Sequence, residues 1–317
     1  LLTIATSGGT GDVDLYVRKG SKPTLVSYDY RPYLIGNNET VEVPTPAAAT
    51  WYIMLRGYQT YANVTLVATY SVSLPGNDFT KDPNAVAVWE FEADKLAIDS
   101  IKSLKLGNSG VIADEIEFKQ GESSARFSST AQYWAEDYTL HAADVNLPTN
   151  FPGKSGTSNK TFSIAFWMRL DYFNNSEYPL VTKHNRLAGK TSYGVMLDAA
   201  GRIALHIGTG TGTAEEALTH ASPITVRRWY HVAVTFNDAT HTGTISVWDD
   251  TAGAILGTDA QKVNFSAMNV EDAMFVIGGI DGTWYQTTNG LMDEVAIFND
   301  VLTTAEIAKI RAGTYGK

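Results

Sequence analysis

The chain has 317 residues, which at ~100 to 200 residues per domain suffices for two domains with a core each. Its 34 acidic and 24 basic side chains leave a net charge of −10, which repels phosphate backbones and anionic headgroups and excludes nucleic acid and lipid surfaces as natural partners. Cysteine is absent and the six histidines are scattered, so thiolate zinc sites, iron–sulfur clusters and a disulfide framework are excluded as well.

Charged residues make up only 18%, while glycine (27), tyrosine (16) and tryptophan (7) are plentiful, a balance that favours turn-rich β structure. From the N-terminus, short apolar runs recur between turns: Leu2 to Ala5, Asp14 to Arg18, Thr40 to Pro44, Thr50 to Arg56 and Val64 to Tyr70. Their period-two alternation predicts strands. Residues 73 to 84 then combine prolines, a Pro-Gly step and polar side chains, the signature of a linker. Residues 1 to 75 hold five basic and five acidic side chains, so the whole negative excess falls beyond that point.

The second part repeats the pattern at larger scale, with strands predicted over 86 to 91, 124 to 127, 161 to 170, 193 to 197, 203 to 207, 229 to 236, 244 to 248, 274 to 277 and 291 to 298. In Phe162 to Leu170 one face carries Phe162, Ile164, Phe166, Met168 and Leu170 and belongs to a core, whereas Trp167 and Arg169 point the other way. One helix is predicted near the C-terminus. Thr303 and Glu306 form a capping box, Leu302 and Ile307 supply a hydrophobic staple, and the helix is expected to seal a sandwich edge. The fold class is therefore all-β: two β-sandwich domains, residues 1–72 and 85–317, joined by a linker at 73–84. No apolar run approaches the ~18 residues of a membrane span, and Leu1 to Ala5 lack the basic region and apolar core of a signal peptide, so no membrane insertion is expected.

Four blocks in the first domain carry a resemblance: Ser7-Gly-Gly-Thr-Gly-Asp-Val-Asp-Leu-Tyr-Val17, Ser27-Tyr-Asp-Tyr-Arg-Pro-Tyr33, Gly36-Asn-Asn-Glu-Thr40 and Trp51-Tyr-Ile-Met-Leu-Arg-Gly-Tyr58. Residues 1–72 closely resemble the bacterial pre-peptidase C-terminal (PPC) domain, a small non-catalytic β-sandwich of secreted proteases and other exported hydrolases. Many members carry a cysteine pair where this chain has Tyr30 and Val41, and they usually have a strand before the position of Leu1, so the resemblance implies an unpaired N-terminal edge.

Six blocks in the second domain do the same: Val88-Trp-Glu-Phe-Glu92, Phe162-Ser-Ile-Ala-Phe-Trp-Met-Arg169, Tyr193-Gly-Val-Met-Leu-Asp198, Arg228-Trp-Tyr-His-Val-Ala-Val-Thr-Phe236, Ile277-Gly-Gly279 and Leu291-Met-Asp-Glu-Val-Ala-Ile-Phe-Asn299. Residues 85–309 resemble the laminin-G-like (LamG), concanavalin A-like jelly roll, a fold that serves sugar recognition, adhesion and some glucanases.

By that resemblance a structural Ca2+ is expected at Glu92 and Asp293, with Asp99 and a carbonyl near Ser128 able to complete its six to eight oxygens. The alternative is that these acids cap strand ends. A second cation could gather Asp12, Asp14, Asp29 and Glu39, although such residues also stabilise turns through their own backbone. For sugar binding, aromatic faces meet the CH side of a ring while carboxylates and amides take hydroxyls, which makes Tyr133, Trp134, Tyr172, Tyr178, Asp281, Trp284 and Tyr285 the loop candidates, with Arg169 on the outer strand face. Exposed aromatics are common enough that packing over sandwich ends is the alternative.

No catalytic motif emerges. The Glu-Asp-Glu alternation of laminarinase-type glucanases is missing; Asp114 to Glu117 comes nearest, and His231 reads as a packed structural histidine. The sequence therefore points to a non-catalytic extracellular or cell-surface protein of a bacterium, or the C-terminal binding portion of a secreted hydrolase, that holds polysaccharide or glycoprotein. Two alternatives stay open: a self-assembling surface or filament subunit whose unpaired N-terminal sheet edge accepts a strand, and a glycan hydrolase or lyase with an unrecognised site.

Overall fold

The alternating runs do form strands, all paired antiparallel; burial alternates along Glu39–Val43 and Thr242–Asp249, whereas several central strands are covered on both faces. The structure is a computed structural model that describes residues 2–43, 46–47, 49–70, 76–127, 138–158, 160–185, 187–210, 214–282 and 288–317. The chain divides into two compact units, Leu1–Ser73 and Leu74–Lys317.

Unit 1 contains β1 (Leu2–Ser7), β2 (Val13–Lys19), β3 (Glu39–Val43), β4 (Trp51–Gly57) and β5 (Thr65–Tyr70). The order β3-β1-β5 makes one sheet, and β2 pairs with β4 in a second. Ile4, Leu15, Val17, Val41 and Val43 form the core between them, with Trp51, Ile53 and Leu55 packed at its margin. The cover is uneven. Ile4 pairs with Ala68, so Leu66, Ala68 and Tyr70 share the core face of the sheet, yet all six residues of β5 are exposed.

Unit 2 runs β6 (Ala85–Trp89), β7 (Gly107–Ser109), β8 (Ile112–Asp114), β9 (Ser124–Phe127), β10 (Thr139–Ala142), β11 (Phe162–Leu170), β12 (Tyr178–Asn185), β13 (Lys190–Leu197), β14 (Ile203–Gly208), β15 (Glu215–Thr219), β16 (Tyr230–Asn237), β17 (Thr242–Asp249), β18 (Ala254–Ile255), β19 (Ala260–Lys262), β20 (Phe275–Ile277), β21 (Gly290–Phe298) and helix α1 (Thr304–Arg311). One sheet has the order β15-β14-β13-β12-β20-β10-β7. The other has β18-β17-β16-β11-β21-β9-β8, with β19 also on β17 and β6 also on β21. Phe162, Ile164, Phe166, Met168 and Leu170 enter the main core with Val232, Val234, Ile245 and Val247.

The outer face of the second sheet is covered as well. Ala165, Ala233 and Ala296 lie side by side there, and their small side chains let Leu302, Ile310 and Tyr315 pack against Phe79 and Phe298 as a second core. Helix α1 therefore roofs a sheet face rather than sealing an edge, which corrects the expectation from sequence. Its capping box is present: Thr303 Oγ1 accepts the Glu306 N–H at 3.3 Å, and a Glu306 carboxylate oxygen accepts the Thr303 N–H at 2.7 Å. Thr303→Ala is expected to cost about 1 kcal/mol, read as a lowered urea midpoint at unchanged slope; an unchanged midpoint would show that the roof holds without its cap.

Candidate functional sites

A β-bulge builds the acidic centre of unit 2. Ala165 pairs with Ala296 but Trp167 pairs with Asp293, so two residues of β21 stand opposite one of β11, and Glu294 takes a left-handed φ of 52°. The bulge turns both Asp293 and Glu294 into the interior on the outer side of the sheet, where each is buried. Asp293 Oδ2 accepts the N–H groups of Lys119 (2.7 Å) and Gln120 (3.0 Å), while its Oδ1 is buried without a hydrogen-bond partner. Asn77 Nδ2 bonds Glu294 at 3.2 Å and the Ile310 carbonyl at 3.0 Å, tying this centre to the end of α1.

Glu92 lies close by, both of its oxygens 3.1 Å from the Glu122 N–H. At Gly121 a Cβ would meet Glu92 Oε1 at 1.6 Å, so only glycine lets the backbone wrap this carboxylate. Burial pushes the carboxyls of Asp293 and Glu294 well above the usual range, and that of Glu92 upward; the Glu92 charge adds to the first two, and Glu90, Glu122 and Asp94 add to Glu92. Of the residues named from sequence, Glu92 lies near enough to Asp293 for its charge to raise that carboxyl. Asp99 is not with them: Oδ1 accepts Val88 N–H (2.8 Å) and Ile101 N–H (2.9 Å), and Oδ2 accepts Lys102 N–H (2.7 Å), so its oxygens organise a turn. Ser128 lies outside the described residues. Among the described residues no three acidic or histidine side chains form a metal-holding group.

In unit 1, Asp12 accepts the Gly36 N–H and Glu39 accepts those of Leu15 and Leu34, so both clamp the 33–36 loop against the start of β2. Asp14 sits 3.8 Å from Arg56, and Asp29 binds the Lys19 N–H at the far end of β2. These four acids are spread along a strand rather than gathered, and turn chemistry accounts for three of them.

The sugar candidates separate. Tyr133, Trp134, Trp284 and Tyr285 lie outside the described residues. Tyr172 is 57% exposed, but Tyr178, read from sequence as a loop aromatic, opens β12 and is 2% exposed, its hydroxyl on Asn174. Asp281 accepts the Met274 N–H at 3.0 Å. Arg169 is held by Glu117 and by Asp171 (3.2 Å), while Arg126 joins Asp171 (2.8 Å), Asp114 and Glu117. Of the acids nearest to a catalytic pattern, Asp114 and Glu117 are thus partnered by arginine. His231 is buried against Trp167, and burial, then the Arg311 charge, lower its pKa to about 3, which keeps it neutral.

The model of the concanavalin A-like lectin/glucanases superfamily matches residues 142–308. The chain belongs to this superfamily. Ahead of the jelly roll, residues 1–57 match the bacterial pre-peptidase C-terminal domain. The concanavalin A-like fold is shared with the binding domain of Paraclostridial Mosquitocidal Protein 1 (TM-score 0.51, 16% identity, 72% of this chain and 52% of that one). It is shared equally with the receptor binding domain of botulinum neurotoxin D (TM-score 0.50, 14% identity, 73% and 52%). In sequence, a neutral protease of Vibrio proteolyticus is 55% identical over 67 residues, 21% of this chain and 11% of that protein. A zinc metalloprotease of Helicobacter pylori is 51% identical over 65 residues (20% and 25%), and an extracellular protease of Xanthomonas campestris 52% over 57 residues (18% and 10%). The chain thus spans between 10% and 25% of the length of these relatives. Among the described residues no helix is long and apolar enough to cross a membrane.

Proposed function

We propose that the chain is a non-catalytic extracellular binding protein of a bacterium, or the C-terminal binding portion of a secreted hydrolase, and that its jelly roll recognises carbohydrate or glycoprotein. The superfamily holds lectins and glucanases alike. The observation that favours the lectin side is the ion pairing around Arg126 and Arg169. It engages Asp114, Glu117 and Asp171, whereas retaining hydrolysis needs two carboxyls ~5 to 5.5 Å apart, one of them kept protonated. The extracellular setting rests on unit 1, whose relatives are proteases, one of them named extracellular.

Calcium belongs to this reading. The orphaned, buried Oδ1 of Asp293 beside a second carboxylate is a donor set that suits a hard cation, and Glu92 and Asp293 would hold it, with backbone carbonyls and water completing the shell. When bound, the ion would rigidify the sheet edge without entering any reaction.

Glycan arrays and pull-down on insoluble polysaccharides test the sugar reading. Wild type is expected to retain a subset of glycans, and the Trp284→Ala/Tyr285→Ala variant or Tyr172→Ala to weaken that retention; no glycan retained by wild type would end the proposal. A second reading is self-assembly; the N-terminal strand β1 is paired on both sides, with β3 and β5, so the edge that supports this reading is β5, which among the described residues is an edge strand exposed on both faces. A strand from another copy would pair with β5, and sedimentation equilibrium showing only monomer at high concentration would dismiss it.

A further inference from the structure

The roof over the outer sheet face stops short of its far edge, and there a groove opens. Its cavity is about 630 Å³, within the range of sites for small ligands. One wall is the face of α1 that carries Thr304, Ile307, Ala308 and Arg311, residues at helical spacing; the floor is the outward side of β17 with Thr244, Ser246 and Trp248; the other wall is β18–β19. Seven helical steps from Thr304 to Arg311 give a length of roughly 10 Å.

Arg311 is the chemical centre of this groove. Its guanidinium carbon lies 3.6 Å from the centroid of the Trp248 ring, so the plane is stacked and the N–H edges remain available. Among the described residues no carboxylate stands within ion-pair distance of it. Asp250, whose charge acts on it, is bound at 2.8 Å to Lys119, which itself sits over Trp167, and Asp259 lines the groove on the β18–β19 side. A stacked guanidinium without a counter-ion, facing a cavity, is built to take a carboxylate in two-pronged fashion.

The remaining lining selects the ligand's body. The Thr235 and Thr244 hydroxyls, 2.7 Å apart, with Ser246 and Gln261 offer donors and acceptors, and Ile255, Val301 and Ile307 offer an aliphatic surface. An extended peptide would bind by completing a backbone ladder, but β17 is paired on both sides, with β16 and with β18 and β19, and has no free edge to give. What the groove can recognise is a ligand whose own body alternates hydroxyls with CH faces.

We propose that the groove between α1 and β17–β19 is a second binding site, for an acidic oligosaccharide whose uronate carboxylate pairs with Arg311. This rests on the sugar-binding reading above and assigns the acidic ligand to the outer sheet face. Isothermal titration with a galacturonate trimer and with the neutral galactose trimer tests it. Wild type is expected to bind the acidic trimer more tightly; Arg311→Gln should weaken it about tenfold or more while leaving the neutral trimer unaffected, by loss of a charge-assisted pair. Ala308→Trp, which fills the groove and keeps Arg311, should abolish acidic binding, with circular dichroism and melting used to confirm its fold. Acidic binding unchanged in both variants but lost in Trp284→Ala/Tyr285→Ala would overturn the groove and keep the sugar reading. Failure of wild type on both trimers and on every arrayed glycan would remove both.

Discussion

Asp144→Asn should destabilise unit 2 by about 3 to 5 kcal/mol, because it strands a buried ammonium. Lys183, in β12, is fully buried; its Nζ reaches Asp144 Oδ1 at 2.7 Å and the Ala273 carbonyl at 2.8 Å, and also donates to the Glu271 carbonyl. Burial pulls the Lys183 pKa below its ordinary value, with the Asp144 bond opposing. Burial also presses on Asp144, but the Lys183 and Ser155 bonds outweigh it and hold the carboxyl below the usual range. The stability this carboxylate adds is therefore present above the ordinary carboxylate pKa and is lost as pH falls below it. Six of the seven tryptophans lie in unit 2, so fluorescence-detected urea unfolding reports mainly on it. Lys183→Met/Asp144→Leu, which removes both charges, is expected to cost clearly less than Asp144→Asn. If the single change shifts stability by under about 1 kcal/mol, the pair is not the anchor its geometry implies.

That anchor was illegible in the sequence, and the reason is physical. Lys183 stands in a run that carries no helical or clear alternating pattern, because β12 is covered on both faces and its polar residues are paid back by distant carbonyls at 271 and 273. Alternation worked where one face meets a core and the other meets small or polar residues, as in Phe162–Leu170, and the capping box at Thr303 worked because it is a contact between near neighbours. Trp167 shows the boundary of the method. Its outward direction follows from spacing, but its burial comes from what covers that face, which spacing does not encode. The acidic centre divides in the same way: Glu92 and Asp293 follow from the resemblance, whereas Glu294 joins them because a bulge adds one residue to β21, and Asn77 and Gln120 reach them from segments distant in sequence.

Calcium should raise the melting temperature of unit 2, and raise it more at pH 8 than at pH 5. The carboxyls of Asp293 and Glu294 are pushed up by burial, so each is more easily protonated folded than unfolded. For an acid shifted this way the favourable state is the protonated one: in chelator, stability is highest near the ordinary carboxylate pKa and declines as pH rises above it. A cation between Glu92 and Asp293 reverses the balance, since it binds the ionised forms, and at a hundredfold excess over its dissociation constant it contributes about 2.7 kcal/mol. Asp293→Asn separates the terms. It removes the buried charge, so in chelator the variant should melt at or above wild type at pH 8 with a flatter pH profile, and it should gain nothing from calcium. Glu92→Gln should lose the calcium response while keeping most of the decline with pH, because Asp293 and Glu294 stay buried. A wild-type melting temperature indifferent to calcium at both pH values would leave the buried pair as a purely structural device, held protonated by burial against the opposing bonds from Asn77 and Gln120, which tie it to α1.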